Sequence, residues 1–171
     1  MARPLLVNAA ELLRRSGIEK LVACNVPVAE LELVDERFDP TSMVEIHLRL
    51  ESLTDGIVVD GRVSAPYHGV CRRCLKPLSA LAISDINELY QLVVTDDSAF
   101  PIVGDQLNLV TMVRDSLLLD TPALPLCRDD CAGLCPTCGV DHNVESCACA
   151  SLTVTSPWDV LNSLRSELDE K

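Results

Sequence analysis

Aromatic side chains are scarce: the 171 residues include one tryptophan, two tyrosines and two phenylalanines. That scarcity excludes an aromatic core. With 48% apolar residues, Val, Leu, Ile and Ala can still build a core of useful size. No run of about eighteen apolar residues occurs, which excludes a membrane-spanning helix of ordinary length. The start, Met1-Ala-Arg-Pro-Leu-Leu-Val-Asn8, lacks a signal-type apolar stretch before Asn8 and Glu11, so the expectation is a cytoplasmic protein without a membrane partner. Positive charge is also short, with 14 Lys and Arg against 26 Asp and Glu and a formal charge of −12. An acidic surface repels phosphate, which excludes broad non-specific nucleic-acid binding and leaves a local basic patch or a basic partner. Gly-rich phosphate loops are missing; Gly17, Gly56 and Gly61 read as turn or cap glycines. Of the three histidines, His47, His68 and His142, none stands in an arrangement with triad logic. The chain does not read as an enzyme, and no small-molecule substrate is expected.

Cysteine, by contrast, is plentiful. Nine are present, and Cys127, Cys131, Cys135, Cys138, Cys147 and Cys149 fall within one short stretch. In a reducing compartment, Cys-x2-Cys pairs signal metal or redox chemistry rather than a disulfide framework. Cys135-Pro136-Thr137-Cys138-Gly139 reads as half of a tetrahedral site, since Pro fixes φ and Gly permits the tight backbone whose amides face the sulfurs. Cys147 and Cys149 are the first choice for the other half, and Cys127 and Cys131 are the alternative. Soft thiolates in a loop too short to bury a core favour a closed, structural Zn2+ site, with iron-sulfur or disulfide chemistry as the remaining options. His142 is the nearby alternative ligand, and Asp129 and Asp130 read as surface.

A second pair, Cys71-Arg72-Arg73-Cys74, sits where one strand turns into the next. Three readings stay open for it. It is half of a second four-thiolate site completed by the unused pair, a redox dithiol activated by Arg72, Arg73 and Lys76, or two reduced thiols shaping a turn. The cluster Arg72, Arg73 and Lys76, with Arg62 and His68 nearby, is the densest positive region. It either clamps an RNA backbone or pairs with surface carboxylates.

Met43 to Glu51 alternates strictly, placing Val44, Ile46, Leu48 and Leu50 on one face, the mark of an antiparallel sheet packed on one side. Ile18 to Val28 and Leu81 to Val93 read as further strands, the latter with Leu81, Ile83, Ile86, Tyr90 and Leu92 and an irregularity near Asp85. Cys24 reads as a small core residue. Asp55-Gly56 and Asp60-Gly61 read as turns bracketing Ile57 to Val59, and Pro66 as an edge or bulge position. Asn8 to Gly17 is expected as a short capped helix. Asn108 caps a second helix whose face is Leu109, Met112, Val113, Ser116 and Leu117, and a third begins at Ser156-Pro157-Trp158 with Leu161, Leu164 and Leu168 on its apolar face. The expected class is α+β: an antiparallel sheet or partly closed barrel, with a few packed helices and a cysteine-rich zinc loop. The expected domains are a body over 1–125, a zinc-binding loop over 126–150 and a terminal helix over 151–171 packing on the body.

Four blocks in order carry a resemblance: Val70-Cys-Arg-Arg-Cys-Leu-Lys-Pro-Leu78, Asp105 to Leu119 running into Pro122 and Pro125, Cys131-Ala-Gly-Leu-Cys-Pro-Thr-Cys-Gly139, and Ser156-Pro-Trp-Asp-Val-Leu161. Together they resemble the YceD family of bacterial proteins linked to large-subunit ribosomal RNA accumulation. The resemblance implies a role in synthesis, processing or stability of 23S ribosomal RNA, with a large ribosomal subunit precursor as partner. Genes of that family commonly adjoin one for a large-subunit ribosomal protein, and some members lack the cysteine-rich loop. The charge of −12 suits holding a basic ribosomal protein, with Arg72, Arg73 and Lys76 giving at most a local contact with ribosomal RNA. The rival readings are a dithiol redox or zinc-dependent enzyme using Cys71 and Cys74, and a direct RNA-binding zinc module.

Overall fold

The computed structural model describes residues 5–149. In chain order its strands are β1 (Leu6–Asn8), β2 (Glu19–Pro27), β3 (Met43–Ser52), β4 (Ile57–Val70), β5 (Pro77–Gln91), β6 (Phe100–Pro101) and β7 (Gln106–Asn108), followed by helix α1 (Val110–Asp120). Short 3-10 turns occupy Leu12–Arg14 and Val28–Leu31. Two compact units divide the chain, Met1–Cys131 and Ala132–Lys171.

In the first unit an open five-stranded sheet runs β2-β3-β4-β5-β6, and β1 pairs with β7 in a separate two-stranded ribbon. The sheet does not close, so the barrel alternative gives way to a mostly β body carrying one α-helix among the described residues. β3 buries Val44, Ile46, Leu48 and Leu50 as its alternation demands. Each such side chain contributes about 1.5–3 kcal/mol on removal from water. α1 lies over β4 and β5 and buries Met112, Val113 and Leu117. The N-cap of α1 is Leu109, one residue after the expected Asn108, whose Oδ1 accepts the Val110 amide at 3.0 Å just ahead of the helix. Asp120 at its C-terminal end opposes the helix dipole, and the buried Ser84 hydroxyl of β5 donates to its carboxylate in compensation. No helix among the described residues is long and apolar enough to cross a membrane.

Several local expectations change. Asn8 to Gly17 is not an α-helix: Asn8 Oδ1 takes the Ala10 amide at 2.9 Å, and only the single 3-10 turn follows before Gly17 at φ +84°. Asp55-Gly56 does lie in the β3–β4 hairpin, whereas Asp60-Gly61 is no turn and lies inside the continuous strand β4. Pairing also runs unbroken through Asp85, and β5 turns Ala82, Ser84 and Ile86 inward while Leu81 and Ile83 stay 55% and 50% exposed. α1 packs on β5, and Ser84 meets Asp120 at the end of that helix. Pro66 sits in the part of β4 that outruns β3, whose pairing stops at Ser64. His68, two residues on, sends its amide away from β5 to the Arg37 carbonyl at 2.8 Å, so the missing N–H of Pro66 falls on a side where no strand needs it. Cys24 is half-buried against the core, and burial pushes its thiol up. The expected helix carrying Trp158, Leu161, Leu164 and Leu168 lies outside the described residues.

Candidate metal centres

β4 and β5 are joined by Cys71 to Lys76, and the local backbone shapes that link into a knuckle. The Leu75 amide donates to the Cys71 carbonyl at 2.9 Å, and the Cys71 amide donates to the Lys76 carbonyl at 2.9 Å. Cys135 to Val140 repeats the pattern: Gly139 donates to the Cys135 carbonyl at 2.9 Å, and Cys135 to the Val140 carbonyl at 2.8 Å. Both folds need a left-handed residue after the second cysteine, filled by Gly139 at φ +76° and by Leu75 at φ +57°. Two sequences with different side chains thus form one loop geometry, with a pair of thiols on one side.

In the Met1–Cys131 unit the second pair arrives from beyond α1. Thr121 and Pro122 offer carbonyls to the Arg37 guanidinium, at 3.4 and 3.1 Å, and Asp35 holds that guanidinium from the other side at 2.8 Å. Pro125 packs over Gly69, where a Cβ would stand 3.2 Å from its ring, and its carbonyl accepts the Arg72 amide at 3.0 Å. Cys127 and Cys131 are thereby delivered to Cys71 and Cys74. All four sulfurs lie within 4.8 Å of one another, with Cys71–Cys131 at 3.8 Å and Cys74–Cys127 at 3.6 Å. A tetrahedron with bonds of about 2.3 Å has edges of about 3.8 Å, so the spacing fits a four-thiolate metal site.

In the Ala132–Lys171 unit, Cys135, Cys138, Cys147 and Cys149 likewise gather within 4.8 Å. A bridge between Leu134 and Asp141, the His142 amide on the Gly133 carbonyl at 2.9 Å, and Asn143 Oδ1 on the Ala132 amide at 2.8 Å brace that loop. Each cluster could hold a metal ion, and four sulfur donors are consistent with zinc.

The thiol energetics point the same way. Cys71 is lowered to about 6, chiefly by the Cys74 amide, and Cys135 to about 6, chiefly by the Cys138 amide. Their neighbours move oppositely. Cys127 is pushed up to about 12 by lost hydration and then by the sulfurs of Cys131, Cys74 and Cys71. Cys149 is pushed up to about 12 by its contacts with Cys138 and Cys147. Four crowded thiols cannot all ionise unless a cation joins them.

Among the cations suggested by the sequence, Arg73 is committed locally. Its guanidinium donates to the Asp129 carbonyl at 3.2 Å and to the Cys131 carbonyl at 2.8 Å, clamping one cysteine pair to the other. Arg72 is exposed, as is Lys76. Arg128 pairs with Asp130 at 3.1 Å, so that carboxylate stays at the surface. His47 lies beside Glu45 at 2.9 Å, His68 beside Ser79 at 2.9 Å, and His142 belongs to neither sulfur cluster. No signal in the sequence marks the Arg73 clamp, because its acceptors are main-chain carbonyls.

A family model described as large ribosomal RNA subunit accumulation protein YceD matches residues 59–165, which span both clusters. The chain belongs to the YceD family. Relatives include the uncharacterized protein Rv2926c of Mycobacterium tuberculosis, 33% identical over 150 residues that cover 82% of this chain and 72% of the relative. Another is the uncharacterized protein ML1660 of Mycobacterium leprae, 27% identical over 150 residues, covering 83% of this chain and 69% of the relative. No solved structure matches. Membership in the YceD family gives this chain a role connected with large-subunit ribosomal RNA accumulation.

One pH dependence follows from the thiols of this YceD protein. Metal binding needs thiolates, so the bound state prefers deprotonated sulfur and affinity falls as pH falls. Near neutrality Cys71 and Cys135, lowered to about 6, are already ionised, while Cys127 and Cys149, pushed up to about 12, must give up protons on binding; below about 6 Cys71 and Cys135 protonate as well. Metal should therefore be held at neutral pH and released increasingly steeply below about 6, read with a colorimetric metal indicator. Release that is flat between neutrality and strong acid would contradict sulfur ligation.

Proposed function

We propose that this protein is a non-enzymatic, cytoplasmic factor that supports synthesis, processing or stability of 23S ribosomal RNA by acting in large-subunit assembly. The observation that carries the reading is the family match over residues 59–165. In this reading Cys135, Cys138, Cys147 and Cys149 hold one structural Zn2+, and Cys71, Cys74, Cys127 and Cys131 hold a second. Closed all-sulfur sites suit a structural role, since catalytic zinc keeps an open position. The charge of −12 favours contact with a basic ribosomal protein of the precursor particle. Any direct RNA contact is local and falls within the cluster Arg72, Arg73 and Lys76, in which the Arg73 guanidinium also donates to the Asp129 and Cys131 carbonyls.

Deletion of the gene is expected to lower large-subunit ribosomal RNA relative to small-subunit RNA and to accumulate large-subunit precursors, read by RNA quantification and sucrose gradients. An unchanged ratio and profile would sink the proposal. The dithiol-enzyme alternative draws on the depressed Cys71 thiol, but that residue is fully buried. Rapid selective alkylation of Cys71 or Cys74 in metal-loaded protein would favour the enzyme reading.

A further inference from the structure

The five-stranded sheet ends on one side at β2, and hydrogen bonds fix which of its groups face outward. Just before the strand, the Ser52 amide donates to the Ile18 carbonyl at 2.9 Å; just after it, the Val28 amide donates to the Ser42 carbonyl at 2.9 Å. The register between them runs Lys20↔Leu50, Val22↔Leu48, Cys24↔Ile46 and Val26↔Val44. Even-numbered residues are therefore the hydrogen-bonded pairs, and the amides and carbonyls of Leu21, Ala23 and Asn25 point away from β3. Among the described residues β2 pairs with β3 alone. Among the described residues those outward groups meet no backbone partner.

Folded proteins usually blunt such an edge with proline, a bulge or a very short strand. β2 runs for nine residues and its one proline, Pro27, is the last. The long cation that could guard it, Lys20, is drawn aside to the Asn8 carbonyl at 3.2 Å. Leu21 stands 75% exposed. Beside it run a groove of about 380 Å³ shared with Leu6, Val7 and Asn8, and another of about 300 Å³ shared with His47, Arg49 and Asp60. Carboxylates dominate the adjoining face. Among the described residues Arg49 is the one cation for Glu19 at 3.1 Å, Asp60 at 3.1 Å and Glu51 at 3.8 Å, which leaves a local excess of negative charge.

We infer that the β2 edge takes an extended, lysine- and arginine-bearing segment of a partner protein as an added strand. Main-chain bonds to Leu21, Ala23 and Asn25 would give affinity, and Glu19, Glu51 and Asp60 would select cationic side chains. RNA is disfavoured by the same carboxylates, and a second copy of this chain would bring like charge against like. The inference names the partner chemistry within the assembly role proposed above and rests on that reading.

The test uses full-length protein and an array of short overlapping peptides tiling the basic proteins of the large ribosomal subunit. Binding is read by fluorescence anisotropy and by hydrogen exchange at the Leu21, Ala23 and Asn25 amides. A binding peptide should slow those three amides, and Ala23→Pro should weaken it by about tenfold or more, as should Leu21→Lys. Proline at 23 takes away an outward N–H and no bond to β3; metal content and urea midpoint are measured on the same variant, and Leu21→Lys tests the edge without touching the backbone. Undiminished binding by both variants, protection elsewhere, self-association through β2, or competition by RNA would each overturn the inference. Gradient association separates the two claims. If parent and Ala23→Pro proteins both co-sediment with precursors, the edge inference fails and the assembly role stands; if the parent protein does not co-sediment, the assembly role fails.

Discussion

Replacing Cys71 with serine should remove one of two metal ions and destabilise the sheet-bearing unit by about 3 kcal/mol or more, a fraction of the roughly 10 kcal/mol apparent free energy of a structural zinc site. Cys71 is fully buried where β4 gives way to β5, and its sulfur meets that of Cys131 at 3.8 Å across 60 residues of chain. A metal there closes a long loop and secures the extended segment after α1, so its loss is felt by the strands themselves. Cys138→Ser should also lose one ion, but its cluster draws every ligand from the Ala132–Lys171 unit. Unfolding of the sheet followed by urea should then shift by less than about 1 kcal/mol. Elemental analysis gives the ion count and circular dichroism the unfolding midpoint. Two ions retained in either variant, or equal loss of stability in both, would contradict the assignment.

The parts of the fold that sequence makes legible are those in which local pattern and tertiary environment agree. β3 alternates because one face is core and the other water, and Val44, Ile46, Leu48 and Leu50 carry that message without help from elsewhere. α1 announces itself through Asn108 and the spacing of Met112, Val113 and Leu117. β5 is different, since apolar Leu81 and Ile83 lie on the wet face while Ala82 and Ser84 make room in the packed one. That parity depends on what packs over the strand, and no local residue encodes it. The sulfur clusters divide in the same way. A knuckle is legible because Cys-x2-Cys sets it within six residues, whereas Cys74 meets Cys127 at 3.6 Å over a separation of 53 residues. Spacing supplies each half-site, and the long-range anchoring of the following segment, Pro122 on Arg37 and Pro125 on Gly69 and Arg72, decides which halves meet.

Gly61→Ala should be among the most damaging single changes outside the cysteines, costing about 2–4 kcal/mol through strain and overpacking. The dipeptide Asp60-Gly61 has the composition of a turn, yet it lies mid-strand with Gly61 at φ +144°, a conformation that side-chain-bearing residues rarely adopt. An added Cβ would press on the His47 carbonyl and stand 2.9 Å from the Leu48 Cα. Both are backbone atoms of β3, which cannot yield without disturbing the pairs that bury Leu48 and Leu50. Gly17→Ala isolates the conformational component, because Gly17 has φ +84° but nothing within 4 Å of the place an alanine methyl would occupy. That variant should lose only about 1 kcal/mol. Urea unfolding of both, with metal content checked, would measure the difference. Equal losses would mean that β4 bends away freely at this point and that the close approach of β3 to β4 is not what requires glycine there.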